Sequence, residues 1–110
     1  MNLAKFQRLK EEATQLNAAA RNLNERVREA HTKKFLANQE LETVQRDGRN
    51  ETQLARLKTE AKEATAEFDQ LHRDALAAGD RWKEHAALVD RLERYLIAQG
   101  VNLYPNELRL

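Results

Sequence analysis

Two heptad repeats of apolar residues, one in each half of the chain, constrain the fold more than any other feature of the sequence. The first repeat runs from Phe6 to Val44, and the second runs from Leu54 to Leu96. When the chain is folded back near its middle, the two repeats align in one register, with Val44 facing Leu54 and Phe6 facing Leu92. The sequence therefore predicts an all-α fold, a long antiparallel two-helix coiled-coil hairpin with a short C-terminal tail.

Heptad positions and side-chain sizes both support this register. Antiparallel helices pack a positions against d positions, and the alignment obeys this rule along the whole hairpin. Small residues also face large ones, as a close-packed seam requires: Ala30 faces Phe68, and Leu23 faces Ala75. We therefore expect one seam between the helices, with no change of phase along it.

Glycine and asparagine mark the ends of the predicted helices. Gly48 suits the left-handed residue that follows a helix, and Asn50 with Gln53 suits the capping box that begins the next helix. Gly79 does not shift the heptad phase, so we predict one continuous helix through it, with a close approach of the helices beside Ala78. The predicted segments, all in one domain, are helix 1 over 1–47, the turn over 48–50, helix 2 over 51–99 and the tail over 100–110.

Composition agrees with an elongated helical protein. The chain has 110 residues, of which 34% are charged and 5% are aromatic, with one proline and three glycines. Such a bias is typical of long helices and not of a large globular core. Because a two-helix rod has little interior for its surface, we expect copies to self-associate into a larger helical bundle or ring.

The residue inventory argues against several classes of function. The chain contains no cysteine and no serine, which removes two common nucleophiles and any thiolate metal site. We therefore predict a protein that is not an enzyme and that uses no cofactor and no metal. No apolar run approaches the roughly 20 residues of a membrane span, and the N-terminus lacks a signal-peptide core. We expect it neither to be secreted nor to span a membrane, and to act in the cytoplasm or within a viral particle.

Two polar residues fall within the predicted seam. Lys34 occupies an a position opposite Ala64, where we predict that it helps to select register and oligomeric state. His85 is placed opposite Ala13, where we predict a core histidine whose polar atoms are satisfied.

Large apolar side chains off the seam predict an interaction surface. Phe35 and Leu36 lie on the outer face of helix 1. Tyr95 and Ile97 lie off the seam near the open end, which is the end of the predicted hairpin opposite the turn. One exposed apolar residue needs no explanation, but an adjacent pair favours contact with another copy. The tail is also apolar. It either folds over the open end or docks on another protein, which we favour, and its candidate contacts are Leu103, Tyr104, Leu108 and Leu110.

A basic stretch of helix 1 supports an alternative, a nucleic-acid-binding helical hairpin. Its candidate contacts are Arg21, Arg28, Lys33 and Lys34. Phosphate binding needs clustered and uncompensated charge, yet the register places Lys33 near an acidic residue, and glutamates interrupt the stretch. A solvated helix face is therefore favoured over a nucleic-acid contact.

The predicted shape is similar to that of several helical-hairpin modules. These include the oligomerisation hairpins of phage small terminases, stalk proteins of secretion apparatus, tentacle-type chaperones and the tRNA-contacting arms of synthetases. The similarity is one of shape, and shape does not determine function. We predict a non-enzymatic oligomeric interaction protein, an adaptor or scaffold in a multi-protein complex, with phage-type DNA packaging or virion assembly as one instance.

Overall fold

Two long α-helices joined by a tight turn make up the computed structural model of the protein. The structure describes residues 3–48 and 50–103. Helix α1 spans Leu3–Asp47 and helix α2 spans Glu51–Ala98. These ranges contain no strand, so the predicted all-α helical hairpin is confirmed. Within the same ranges, neither helix combines the length and the apolar character that crossing a membrane would require.

Burial follows the predicted heptad seam along both helices. Every seam residue from Phe6 to Val44 and from Leu54 to Leu96 is buried or half-buried, whereas most other helical residues are exposed. The side-chain nitrogen of Lys33 lies 3.1 Å from Oε2 of Glu67, which is the cross-helix neighbour that the register predicts.

The described residues form two compact units. The turn unit, Arg21–Ala77, contains antiparallel segments of both helices and the connection between them. The terminal unit contains residues 3–20 of α1 together with residues 78–103. In the terminal unit, Phe6, Leu96 and Leu103 form a buried cluster, and the apolar residues packed around this cluster are Leu3, Val89, Leu92 and Val101.

The turn has the left-handed glycine and the N-cap residue that its sequence predicts. Gly48 has a φ of 65°, and its N–H donates to the carbonyl oxygen of Val44 at 3.0 Å, which ends α1 with a left-handed residue. The side-chain Oδ1 of Asn50 then accepts the N–H of Gln53 at 3.1 Å. Asn50 is therefore the N-cap of α2 and satisfies one of the free backbone donors in the first turn.

A second glycine ends α2 and turns the chain back towards the hairpin. Gly100 has a φ of 82°; its N–H donates to the oxygen of Ile97, and the N–H of Val101 donates to the oxygen of Leu96, both at 3.0 Å. This pair of bonds is the Schellman motif, in which the residue after the glycine also packs on the last turn. The contact of Val101 with the terminal cluster completes the motif.

Helix α2 continues through Gly79 without a break, as predicted. Apart from the adjacent backbone of its own helix, a Cβ atom built at Gly79 meets no atom within 4 Å. No close approach of the helices at this position therefore requires a residue without a side chain.

Candidate interaction surfaces

The hairpin keeps small residues in its seam and places large apolar residues outside it. Within the described ranges, six of the ten buried apolar residues are alanines. This distribution is the reverse of what an isolated helical pair needs, because large buried side chains supply most of the hydrophobic stabilisation. The exposed large apolar residues are Phe35, Leu36, Leu76, Leu88, Tyr95 and Ile97.

The predicted pair Phe35 and Leu36 is exposed to 59% and 55%. Because successive residues of a helix point about 100° apart, the two side chains extend over different flanks of the turn unit. Leu36 lines a groove on one flank. Asn38 lines a groove on the other flank, and Phe35 lies one helical turn before Asn38.

The first groove, which we call the acidic groove, has a volume of about 410 Å³. Its floor includes Ala37 and Ala64, and Leu36 forms part of its edge. Four glutamates and one lysine supply its charge, namely Glu40, Glu60, Glu63, Glu67 and Lys33. Carboxylates therefore surround an apolar floor.

The second groove, which we call the basic groove, has a volume of about 460 Å³. Its apolar lining includes Leu41, Ala61 and Ala66, and its charged residues are Lys58, Lys62 and Asp69. Lysines thus outnumber carboxylates in this groove, whereas the reverse holds in the acidic groove.

Alanines in the seam explain why both grooves lie in this part of the turn unit. Ala37, Ala61 and Ala64 are seam residues, and each contributes to the floor of one groove. A methyl group fills the space between two helices but does not extend to either flank, so a depression remains on each side. These alanines are visible in the heptad repeats, but the outer apolar residues alone predict a surface and not the two grooves.

The predicted residues near the open end are in two different environments. Tyr95 and Ile97 are each 56% exposed, whereas Leu103 is only 5% exposed and packs within its own chain. The described start of the tail thus folds over its own helices. The predicted contacts Tyr104, Leu108 and Leu110 lie outside the described residues, and a partner contact through Leu103 stays a prediction.

The four predicted nucleic-acid contacts do not form one stripe. Arg21 and Arg28 are exposed, but the ammonium group of Lys33 is 3.1 Å from the carboxylate of Glu67. Lys34 is half-buried in the seam as predicted, with its Nζ 4.7 Å from the centre of the Phe68 ring, a cation–π distance. Two of the four charges are therefore engaged within the hairpin.

His31 and His72 both pack against the ring of Phe68. The ring of His31 meets the Phe68 ring edge-on at 5.5 Å, and the ring of His72 stacks on it at 5.7 Å. Within the described part of the chain, no group of three or more histidine, aspartate or glutamate residues is arranged to hold a metal ion. Contact with Phe68 explains the position of both histidines.

Comparisons with known proteins give no match from which a function could be inferred. No family model matches the chain, and neither the curated proteins nor the solved structures include a significant match. The exposed apolar residues and the two oppositely charged grooves are therefore the features from which a function can be argued.

Proposed function

We propose that this protein is a non-enzymatic interaction protein that assembles with copies of itself and acts as an adaptor or scaffold in a multi-protein complex. The observation that carries this proposal is the inverted distribution of apolar residues, with alanines in the seam and Phe35, Leu36, Tyr95 and Ile97 exposed. Self-association gives these exposed side chains an apolar environment that one hairpin does not provide.

The energies involved favour association. Complete burial of a large apolar side chain stabilises by about 1.5–3 kcal/mol, and stabilisation scales with the apolar area removed from water, which for an alanine is small. A seam rich in alanine therefore contributes little per layer. Burial of Phe35 and Leu36 against another subunit adds stabilisation that the intramolecular seam lacks.

The setting that we propose is a multi-protein assembly in the cytoplasm or within a viral particle. Phage-type DNA packaging or virion assembly is one instance, suggested by the likeness in shape to oligomerisation hairpins. In this proposal the C-terminal segment beyond Leu103, with Tyr104, Leu108 and Leu110, contacts another protein.

Sedimentation velocity over a range of concentrations tests the proposal directly. We expect the wild-type chain to sediment as an oligomer, and the double variant Phe35→Glu/Leu36→Glu to dissociate because it places charge in an apolar contact. The matched control is Thr32→Glu/Gln39→Glu, which adds the same charge at exposed positions of the same helix. Circular dichroism should show that all three proteins remain helical.

Two outcomes contradict the proposal at different levels. An unchanged oligomeric mass for Phe35→Glu/Leu36→Glu would show that this pair is not the interface. A wild-type monomer at every concentration would remove self-association itself. If that monomer also shifted DNA or RNA in a salt-dependent way, and Arg21→Glu/Arg28→Glu abolished the shift, the nucleic-acid alternative would replace our proposal.

A further inference from the structure

We propose that copies of this chain associate side by side through their turn units, with the basic groove of one copy against the acidic groove of the next. The inference rests on the proposed self-association and specifies which surfaces meet. A second copy of this chain is the occupant because both halves of the contact, opposite in charge, are present on one molecule.

The charges that have no ion pair within the hairpin are of opposite net sign in the two grooves. In the acidic groove, Glu60 is 3.7 Å from Arg56 and Glu67 is 3.1 Å from Lys33, so these two carboxylates have neighbours within the hairpin. Glu40 and Glu63 form no ion pair with any residue in the ranges 3–48 and 50–103.

The basic groove has the complementary pair. Lys58 and Lys62 form no ion pair within the described part of the chain. They are four residues apart on α2, and therefore share one side of that helix. Asp69 also lies in this groove without an ion pair in the described ranges, so its unpaired charges are two ammonium groups and one carboxylate. The basic groove therefore keeps a net positive unpaired charge, opposite in sign to the two unpaired carboxylates of the acidic groove.

The two grooves also lie at the same level of the turn unit. Ala61, in the floor of the basic groove, and Ala64, in the floor of the acidic groove, are separated by one turn of α2. Neighbouring copies can therefore meet without a large shift along the helix direction. The apolar part of the contact then comes from two copies. One copy supplies Leu36 at the edge of its acidic groove, and the other supplies Phe35 beside its basic groove.

This arrangement has a consequence for the form of the assembly. The two surfaces that meet are different, so the contact is heterologous. An open series therefore keeps one unused basic groove at one end and one unused acidic groove at the other until it closes. Contacts of this type produce rings when the rotation closes and open chains when it does not. A symmetric dimer is not expected, because it would place like charges opposite each other.

Charge reversal on each groove tests the proposal. We expect Glu40→Lys/Glu63→Lys to weaken self-association at least about tenfold, because the altered groove then faces Lys58 and Lys62 of the next copy. We expect Lys58→Glu/Lys62→Glu to weaken self-association by a similar factor, because the altered groove is then acidic and faces Glu40 and Glu63 of the neighbouring copy. An equimolar mixture of the two variants should associate again, because every contact between one variant and the other joins a basic groove to an acidic one.

The quadruple variant that carries all four reversals should also associate with itself, since its grooves have only exchanged signs. The matched controls are Asp80→Lys/Glu84→Lys and Arg81→Glu/Lys83→Glu, which make the same changes of net charge at exposed positions outside both grooves. We expect both controls to sediment as the wild type does. Sedimentation velocity at low and high salt measures every variant, and high salt should weaken the wild-type contact by screening.

Several results would overturn this arrangement. If the wild type is an oligomer but reversal of either groove leaves its mass unchanged, the arrangement is wrong although self-association stands. If each variant dissociates but the mixture does not associate, the grooves do not contact each other. If the wild type is a monomer that binds a lysine-rich helical peptide through Glu40 and Glu63, the acidic groove belongs to a basic partner helix.

Discussion

The Nε2 atom of His85 on α2 lies 3.0 Å from the main-chain carbonyl oxygen of Leu9 on α1. A carbonyl oxygen only accepts hydrogen bonds, so Nε2 carries the proton and donates it. The Oε2 atom of Glu12 is 3.5 Å from the same nitrogen, and the side chain of His85 is only 19% exposed. The predicted core histidine is therefore confirmed, with its polar atom satisfied by the opposing helix.

Substitution of His85 separates the contribution of packing from that of the hydrogen bond. We expect His85→Ala to lower the free energy of unfolding by about 1–2 kcal/mol, because the variant loses both the buried ring and the hydrogen bond. His85→Leu should recover this loss, since leucine fills the same seam position. The carbonyl oxygen of Leu9 still accepts the backbone N–H of Ala13 within α1. Chemical denaturation measures both values. A leucine variant as unstable as the alanine variant would show that the bond to Leu9 outweighs packing here.

Two glycines should respond in opposite directions to the same substitution. Gly79 lies inside α2, and an added Cβ meets nothing within 4 Å, so Gly79→Ala should raise the free energy of unfolding by about 1 kcal/mol. Gly48 has a φ of 65°, where a side chain is strained, so Gly48→Ala should lower it by about 1 kcal/mol. Thermal unfolding of the two variants against the wild type checks the signs. A lower melting temperature for Gly79→Ala would indicate an unrecognised contact at this glycine.

The seam was predictable from the sequence because burial in a helical pair repeats with the heptad. Phe6 and Leu57, the largest fully buried side chains, were both placed in the seam. The turn was predictable for a different reason, since Gly48 and Asn50 have local roles that depend only on backbone conformation and nearby donors. Such features need no knowledge of distant contacts.

Surface features were less predictable because they depend on three-dimensional neighbours. Lys33 and Lys34 are adjacent in the sequence, yet one pairs with Glu67 and the other lies over Phe68. The grooves depend on alanines from both helices meeting at one level. The tail has no heptad repeat, so the sequence left open whether it folds on its own chain, as residues 101–103 do.

The start of the tail is expected to stabilise its own hairpin. Leu103 is 5% exposed and packs against Phe6 and Leu96. Leu103→Ala removes most of that buried side chain, and we expect it to lower the free energy of unfolding by about 2 kcal/mol. The adjacent control Asn102→Ala changes an exposed side chain and should alter stability by less than about 0.5 kcal/mol.

Truncation after Gly100 extends the same test to the whole tail. Loss of Val101 and Leu103 uncovers Phe6 and Leu96, so the truncated chain should melt at a lower temperature and bind more of a dye that reports exposed apolar surface. Leu103→Ala alone should produce a smaller change of the same kind, because Val101 still covers part of the cluster. A truncated chain that melts with the wild type but no longer retains a partner would assign the tail to recognition and not to stability.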